Sequence, residues 1–159
     1  MKKEKKKKVL FVSSIGGHLT QMLQLKSIFN DYEYLLITEK SDVTIGLKNK
    51  YNVKYYIYCN KKNFLKYFLI NVANAFHSVY TFFTFWPSVI VTTGANTAVP
   101  LRYLGRIFGK KVIFIESFAK REGKTFAGKL AYPMATTFIV QWESMLKYYP
   151  KAKYFGGIY

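Results

Sequence analysis

The stretch VLFVSSIGGHLTQML, Val9 to Leu23, reads as a buried strand, a glycine turn and the start of a helix. Val9 to Val12 form a short β-favouring apolar run, Gly16 and Gly17 permit a tight turn, and apolar residues then recur at helical spacing from Leu19. A strand that passes through a turn into a helix is the unit from which parallel sheets are built.

Outward from this junction the same alternation continues. Strands are expected at Val9–Ser13, Glu33–Thr38, Val53–Tyr58, Val89–Thr92, Val112–Ile115 and Thr137–Gln141. Helices are expected at Leu19–Asn30, Lys62–Phe85, Ala98–Phe108, Phe126–Tyr132 and Glu143–Tyr148. The expected fold class is α/β: a Rossmann-like parallel sheet with helices on both faces. No repeat or linker divides the 159 residues, so the expected organisation is a basic flexible tail at residues 1–8 and a single domain at 9–159.

The formal net charge is +17, and six of the 25 basic residues are Lys2, Lys3, Lys5, Lys6, Lys7 and Lys8. Such an excess suits nucleic acid, an anionic membrane surface or an anionic substrate. Nucleic acid is disfavoured, because the aromatic residues follow a helical stripe and no recognition motif occurs. The apolar run after the lysines is too short for a signal peptide, and the single cysteine, Cys59, forms no internal disulfide. The expectation is therefore the cytoplasmic side of a membrane.

In an open parallel sheet, ligands bind beyond the carboxyl ends of the strands. The polar clusters fall there. Ser14, Gly16 and Gly17 lead into a helix start whose free N–H groups suit a phosphate. His18 adds a group able to take a proton from a hydroxyl or donate to an anion. Gly94, Asn96 and Thr97 form a second glycine turn after the fourth strand, while Glu116, Lys120 and Arg121 follow the fifth. A carboxylate at Glu116 could serve as a base or orient an acceptor hydroxyl, and the cations could meet phosphate. The G-x-G-x-x-G and Walker fingerprints, zinc-ligand spacing and a D-x-D pair are missing, so no metal and no cofactor is expected.

Asn63 to Pro87 is long enough to raise the question of a membrane span. At 100° per residue its polar side chains, Asn63, Lys66, Asn71, Asn74, His77, Ser78, Thr81 and Thr84, fall in an arc of about 140°, which marks an amphipathic helix. The opposite, apolar half exceeds the roughly 100° stripe that covers a sheet. Part of it is expected to face the core. The surplus, including Phe68, Phe76 and Phe83 with Trp86 at the end, is expected to enter the headgroup boundary, helped by about 1 kcal/mol from each tail lysine near an anionic surface.

Three ordered motifs, FVSSIGGHLTQM at Phe11–Met22, VIVTTGANTAVPL at Val89–Leu101 and VIFIESFAKREGKT at Val112–Thr125, carry a family likeness. They resemble the acceptor-binding subunit of the two-part UDP-N-acetylglucosamine transferase of lipid-linked N-glycan assembly. They resemble still more its bacterial PssD and CpsF-type relatives in capsule and exopolysaccharide synthesis. The likeness spans Lys8 to Tyr159 and implies the N-terminal half of a MurG-like glycosyltransferase of the GT-B fold.

The resemblance implies a separate partner subunit that holds the UDP-sugar, a heterodimer completed at docking, and a polyprenyl-diphosphate-linked sugar as acceptor. The loops of Gly16, Gly17 and His18 and of Gly94, Asn96 and Thr97 would hold the diphosphate and first sugar, and Phe155 to Tyr159 would lie near the junction. His18 or Glu116 would take the acceptor proton, with His18 favoured. Eukaryotic relatives begin with a membrane-spanning helix; here a lysine tail stands instead, which implies peripheral attachment. The alternative is a non-catalytic membrane adaptor that recruits and stabilises the transferase.

Overall fold

The computed structural model describes residues 6–58, 63–94 and 96–158. Lys2, Lys3 and Lys5 of the basic tail, Lys62 at the expected start of the long helix, and Tyr159 lie outside the described residues.

Seven strands, β1 (Lys8–Val12), β2 (Glu33–Glu39), β3 (Val53–Tyr56), β4 (Val89–Thr92), β5 (Lys111–Ile115), β6 (Thr137–Val140) and β7 (Lys153–Tyr154), form one sheet. They pair in parallel in the order β3-β2-β1-β4-β5-β6-β7. The first six match the expected strands to within two residues, whereas β7 is too short to show an alternation. Lys8 departs from expectation: it lies opposite Glu33 in the ladder, and their side chains pair at 3.2 Å. It belongs to the sheet and not to the tail. Lys6 also reaches back, donating to the Asn30 carbonyl.

β1 runs through the centre and is covered on both sides, which is why its sequence is continuously apolar. Val9 and Phe11 pack with Met22, Phe29 and Leu36 on one face. Leu10 and Val12 pack with Phe82, Ile90 and Leu101 on the other. Each such side chain taken fully out of water contributes about 1.5–3 kcal/mol. The first helix, α1 (Gly17–Gln24), is shorter than expected and tightens into a 3-10 segment at Leu25–Asp31. That segment sets the Phe29 ring 4.4 Å from the ring of Phe11. Glu143–Lys147 is likewise a 3-10 helix.

The second helix, α2 (Phe64–Phe85), overturns the expectation that its polar arc faces away from the core. Its buried residues are Asn74, Ser78, Thr81 and Phe82, so most of the side chains turned inward are polar. Leu65, Phe68, Leu69, Val72, Phe76, Val79, Tyr80 and Phe83 are exposed, Phe76 by 72%. The inner face is tolerated because its polar groups arrive already bonded: Ser78 Oγ donates to the Asn74 carbonyl at 2.8 Å and Thr81 Oγ1 to the His77 carbonyl at 2.7 Å. Asn74 takes and returns the backbone bonds of Ile57, at 3.0 and 2.9 Å. Small polar residues inside with apolar bulk outside is the arrangement of helices that meet lipid. No helix among the described residues is long and apolar enough to cross a membrane.

Two further helices, α3 (Val99–Ile107) and α4 (Phe126–Ala131), follow β4 and β5.

Candidate functional site

The strand order reverses between β1 and β4, which lie side by side although far apart in sequence. The loops leaving neighbouring strands at such a switch point diverge and open a crevice. Here they are Ser13 to His18 and Thr93 to Thr97. Gly16 and Gly94 hold φ of 80° and 97°, the left-handed region that glycine enters without strain.

The two turns touch. A Cβ built on Gly94 would stand 3.5 Å from His18 Cε1, and Thr93 Oγ1 donates to the His18 carbonyl at 2.9 Å. His18 is half-buried, and among the described residues its Nδ1 is buried without a hydrogen-bond partner. The loop after β5 joins them through α1, since Gln21 Nε2 donates to Ser117 Oγ at 3.5 Å. Gly16 and Gly17 are exposed at the start of α1, where N–H groups have no intrahelical partner.

Glu116 is close to this rim, yet its carboxylate does not face solvent; it is 2% exposed. It accepts from the Ser117 N–H at 2.9 Å, from Thr125 Oγ1 at 3.0 and 2.9 Å, and from the Tyr149 hydroxyl at 3.0 Å. Thr125 in turn caps α4 by accepting from the Gly128 N–H at 2.8 Å. A Cβ on Gly128 would collide with the Glu116 carboxylate and the Tyr149 hydroxyl, so only glycine lets α4 sit this near. Burial, and then the adjacent Glu116 charge, push the Tyr149 phenol up. Glu116 thus ties the β5 loop to α4.

Other expected residues are distributed around the rim. Asn96 turns toward α2, its Nδ2 donating to the Tyr67 hydroxyl at 3.0 Å. Thr97 is 4% exposed, and among the described residues its hydroxyl is buried without a partner. Arg121 is exposed and stacks its guanidinium 4.3 Å above the Trp142 ring, while Lys120 is half-buried beside Gly123. Ser14 is half-buried. Among the described residues no group of three or more His, Cys, Asp and Glu side chains could hold a metal ion.

Away from the rim, Trp86 is exposed at the C-terminal end of α2, with Lys110 Nζ 4.0 Å above its ring. Lys6, Lys7, Lys8 and Ser88 line an open pocket together with the same tryptophan.

One buried carboxylate escaped the sequence reading. Glu39 ends β2, is buried, and accepts from the Ile15 N–H inside the first turn. Burial raises its pKa, opposed by that hydrogen bond. The available signal was an acidic residue closing a strand at the ligand-binding edge.

Comparison with known proteins bears on this arrangement. The sequence profile described as "Oligosaccharide biosynthesis protein Alg14 like" matches residues 61–158, more than half of the chain. The human protein named UDP-N-acetylglucosamine transferase subunit ALG14 is 27% identical over 177 aligned residues, covering 94% of this chain and 82% of the relative. The protein of the same name from Eremothecium gossypii is 33% identical over 78 residues, covering 45% of this chain but only 35% of the relative. In structure, Acinetobacter baumannii MurG superposes with a TM-score of 0.69 at 13% identity, covering 87% of this chain and 42% of the MurG chain. The last likeness concerns the fold alone, and this chain spans less than half of that enzyme.

Proposed function

The chain belongs to the Alg14-like family of oligosaccharide biosynthesis proteins, and from that premise we propose that it is the acceptor-binding subunit of a two-component glycosyltransferase. The partner subunit holds a UDP-sugar, and this chain presents a polyprenyl-diphosphate-linked sugar at the cytoplasmic face of a membrane, in capsule or exopolysaccharide synthesis. The observation that carries the reading is that the turns after β1 and β4 meet at the switch point of the sheet, Thr93 Oγ1 donating to the His18 carbonyl at 2.9 Å beside Gly94.

The diphosphate lies against Ser14, Gly16, Gly17 and the start of α1, where the helix dipole and free amides favour an anion. Lys120 and Arg121 add positive charge from the β5 loop. His18 takes the proton of the acceptor hydroxyl as its oxygen attacks the anomeric carbon of the donor sugar. The bond to the UDP oxygen breaks, UDP leaves with the electron pair, and the configuration inverts. Glu116 acts here as a positioning residue, since its oxygens are engaged by Ser117, Thr125 and Tyr149. No metal is invoked.

The outward apolar face of α2 supplies the membrane contact through Phe68, Phe76 and Phe83. Trp86, which carries Lys110 over its ring and shares a pocket with Lys6, Lys7 and Lys8, adds an aromatic and cationic end that suits anionic headgroups.

The test is a transfer assay on the co-purified pair with a lipid-linked acceptor. A general base supplies about 10²- to 10⁴-fold, so His18→Ala should lower turnover by at least the smaller factor while partner and membrane binding persist. An unaltered rate would remove His18 from the chemistry and favour the non-catalytic adaptor, which relies on the same outward helix face.

A further inference from the structure

β3 is an edge strand of the sheet, and the connection that reaches it from β2 packs beside it. Together they line an open cleft of about 500 Å³, formed by Lys40, Ile45, Lys48, Val53, Lys54 and Tyr55. A second cavity, of about 360 Å³, lies against α2 and is lined by Lys54, Phe76, His77 and Tyr80. Lys54 is common to both, so the two adjoin.

The floor of the cleft is fixed. Thr44 is buried and anchors the connection: its Oγ1 donates to the Glu39 carbonyl at 2.8 Å, and its own carbonyl accepts from the Tyr55 hydroxyl at 2.6 Å. Lys48 Nζ stands 5.7 Å from the centre of the Tyr55 ring, and Lys54 Nζ 4.8 Å from that of Tyr80. Three ammonium groups on one cleft repel one another. Of the carboxylates in this stretch, Glu39 is engaged by the Ile15 N–H and Asp42 is exposed. Among the described residues the ion pair formed is that of Lys8 with Glu33, so no carboxylate neutralises the three lysines. Lys54 is half-buried, and its burial lowers the ammonium pKa.

These features specify an amphiphile. The cleft offers positive charge without a counter-ion, which a phosphate supplies. The adjoining cavity offers aromatic surface that continues onto the outward face of α2, where Phe76 and Tyr80 are exposed. Val43 and Ile45, also exposed, place further apolar side chains on the connection itself. A soluble anion would meet the lysines and leave this apolar surface in water. A lipid with an anionic head answers both, and Lys54 stands where head and tail would join, its stem along the aromatic rings and its ammonium toward the phosphate.

We propose that the two adjoining cavities hold one anionic phospholipid of the bilayer leaflet, its phosphate among Lys40, Lys48 and Lys54 and the start of an acyl chain against Phe76 and Tyr80. The inference rests on the membrane contact of α2 proposed above and adds the connection between β2 and β3 to it. The cationic end near Trp86 serves the leaflet as a whole, whereas this is a site for a single lipid. A headgroup held beside the middle of α2 fixes the rotation of the helix about its own axis.

The experiment measures, on the intact chain, co-sedimentation with phosphatidylcholine vesicles made with and without phosphatidylglycerol, and the affinity for a short-chain phosphatidylglycerol below its micellar concentration. Phosphatidylglycerol should strengthen vesicle binding, and Lys40→Gln, Lys48→Gln and Lys54→Gln should each reduce that gain about fivefold. The short-chain lipid should lose affinity in the same three variants, while their melting temperatures stay equal or rise, because each relieves repulsion. Lys26→Gln removes the same charge from the segment after α1, which packs on the other face of the sheet, and should change the gain by less than about twofold. Equal losses in Lys26→Gln would assign the gain to net charge and overturn the site. Displacement of the short-chain lipid by inorganic phosphate or by a single-stranded RNA oligomer at equal concentration would overturn the lipid as occupant. Native binding to both vesicles alike overturns the site alone, and native binding to neither overturns the membrane contact of α2 and the site with it.

Discussion

The Tyr149 hydroxyl donates to the Glu116 carboxylate across 3.0 Å, tying the segment beyond β6 to the loop that follows β5. Because burial and the neighbouring charge hold the phenol in its protonated form, this donor persists over the physiological pH range. Tyr149→Phe leaves a buried carboxylate oxygen short of one charge-assisted bond, a loss of about 1.5–3 kcal/mol. Thermal unfolding should register a melting temperature lower by roughly 3–12 °C. An unchanged midpoint would mean that the carboxylate is satisfied without the phenol.

Asn74 sits where a leucine would be expected on a helix that covers a sheet. Asn74→Leu adds apolar volume to the core side but strands both backbone groups of Ile57. The second effect dominates, at about 1–3 kcal/mol for the loss of two part-buried hydrogen bonds. Urea denaturation should therefore show a destabilised protein, against the simple rule that apolar substitutions improve cores.

Phe76 and Phe83 make the opposite case. Phe76 is 72% exposed, so Phe76→Ser should alter unfolding free energy by no more than about 0.5 kcal/mol, whereas Phe83→Ser also loses ring contacts with Phe82, Trp86 and Phe108 and should cost about 1–2 kcal/mol. Co-sedimentation with anionic vesicles should nevertheless fall about 5- to 30-fold for each, the equivalent of about 1–2 kcal/mol of apolar burial in the interface. Undiminished vesicle binding would show that this face does not enter lipid.

Glu39 gives the fold a pH dependence of its own. Its pKa is raised by burial, so the folded chain holds this proton more tightly than the unfolded one does. The stability it contributes is complete below the ordinary glutamate value of about 4.3 and is lost as pH climbs through the raised value. Glu39→Gln keeps an acceptor for the Ile15 N–H and abolishes the charge. The variant should match the native chain near pH 4 and exceed it in urea midpoint at pH 7. Parallel stability curves would assign the dependence to another group.

The approach of His18 to Gly94 was legible in the sequence because a parallel sheet sends every strand-to-helix turn to one edge, and the motifs lie in such turns. The facing of α2 was not. Periodicity separates a helix into two faces without saying which one the sheet receives: part of the apolar half is expected inside, and the sheet receives Asn74, Ser78 and Thr81 instead. Burial of Glu116 was equally hidden, since it depends on Gly128 and Tyr149, which come close only after α4 and the following segment have packed. Glu39 escaped for a similar reason: its partner is a backbone N–H, which has no letter in the sequence.

The inside-out character of α2 also governs how the protein behaves away from lipid. In plain buffer its row of phenylalanines can shed hydration only by meeting another copy, so clumping will grow with concentration and with temperature, while the fold beneath stays intact. A mild surfactant above its micellar threshold answers the same need.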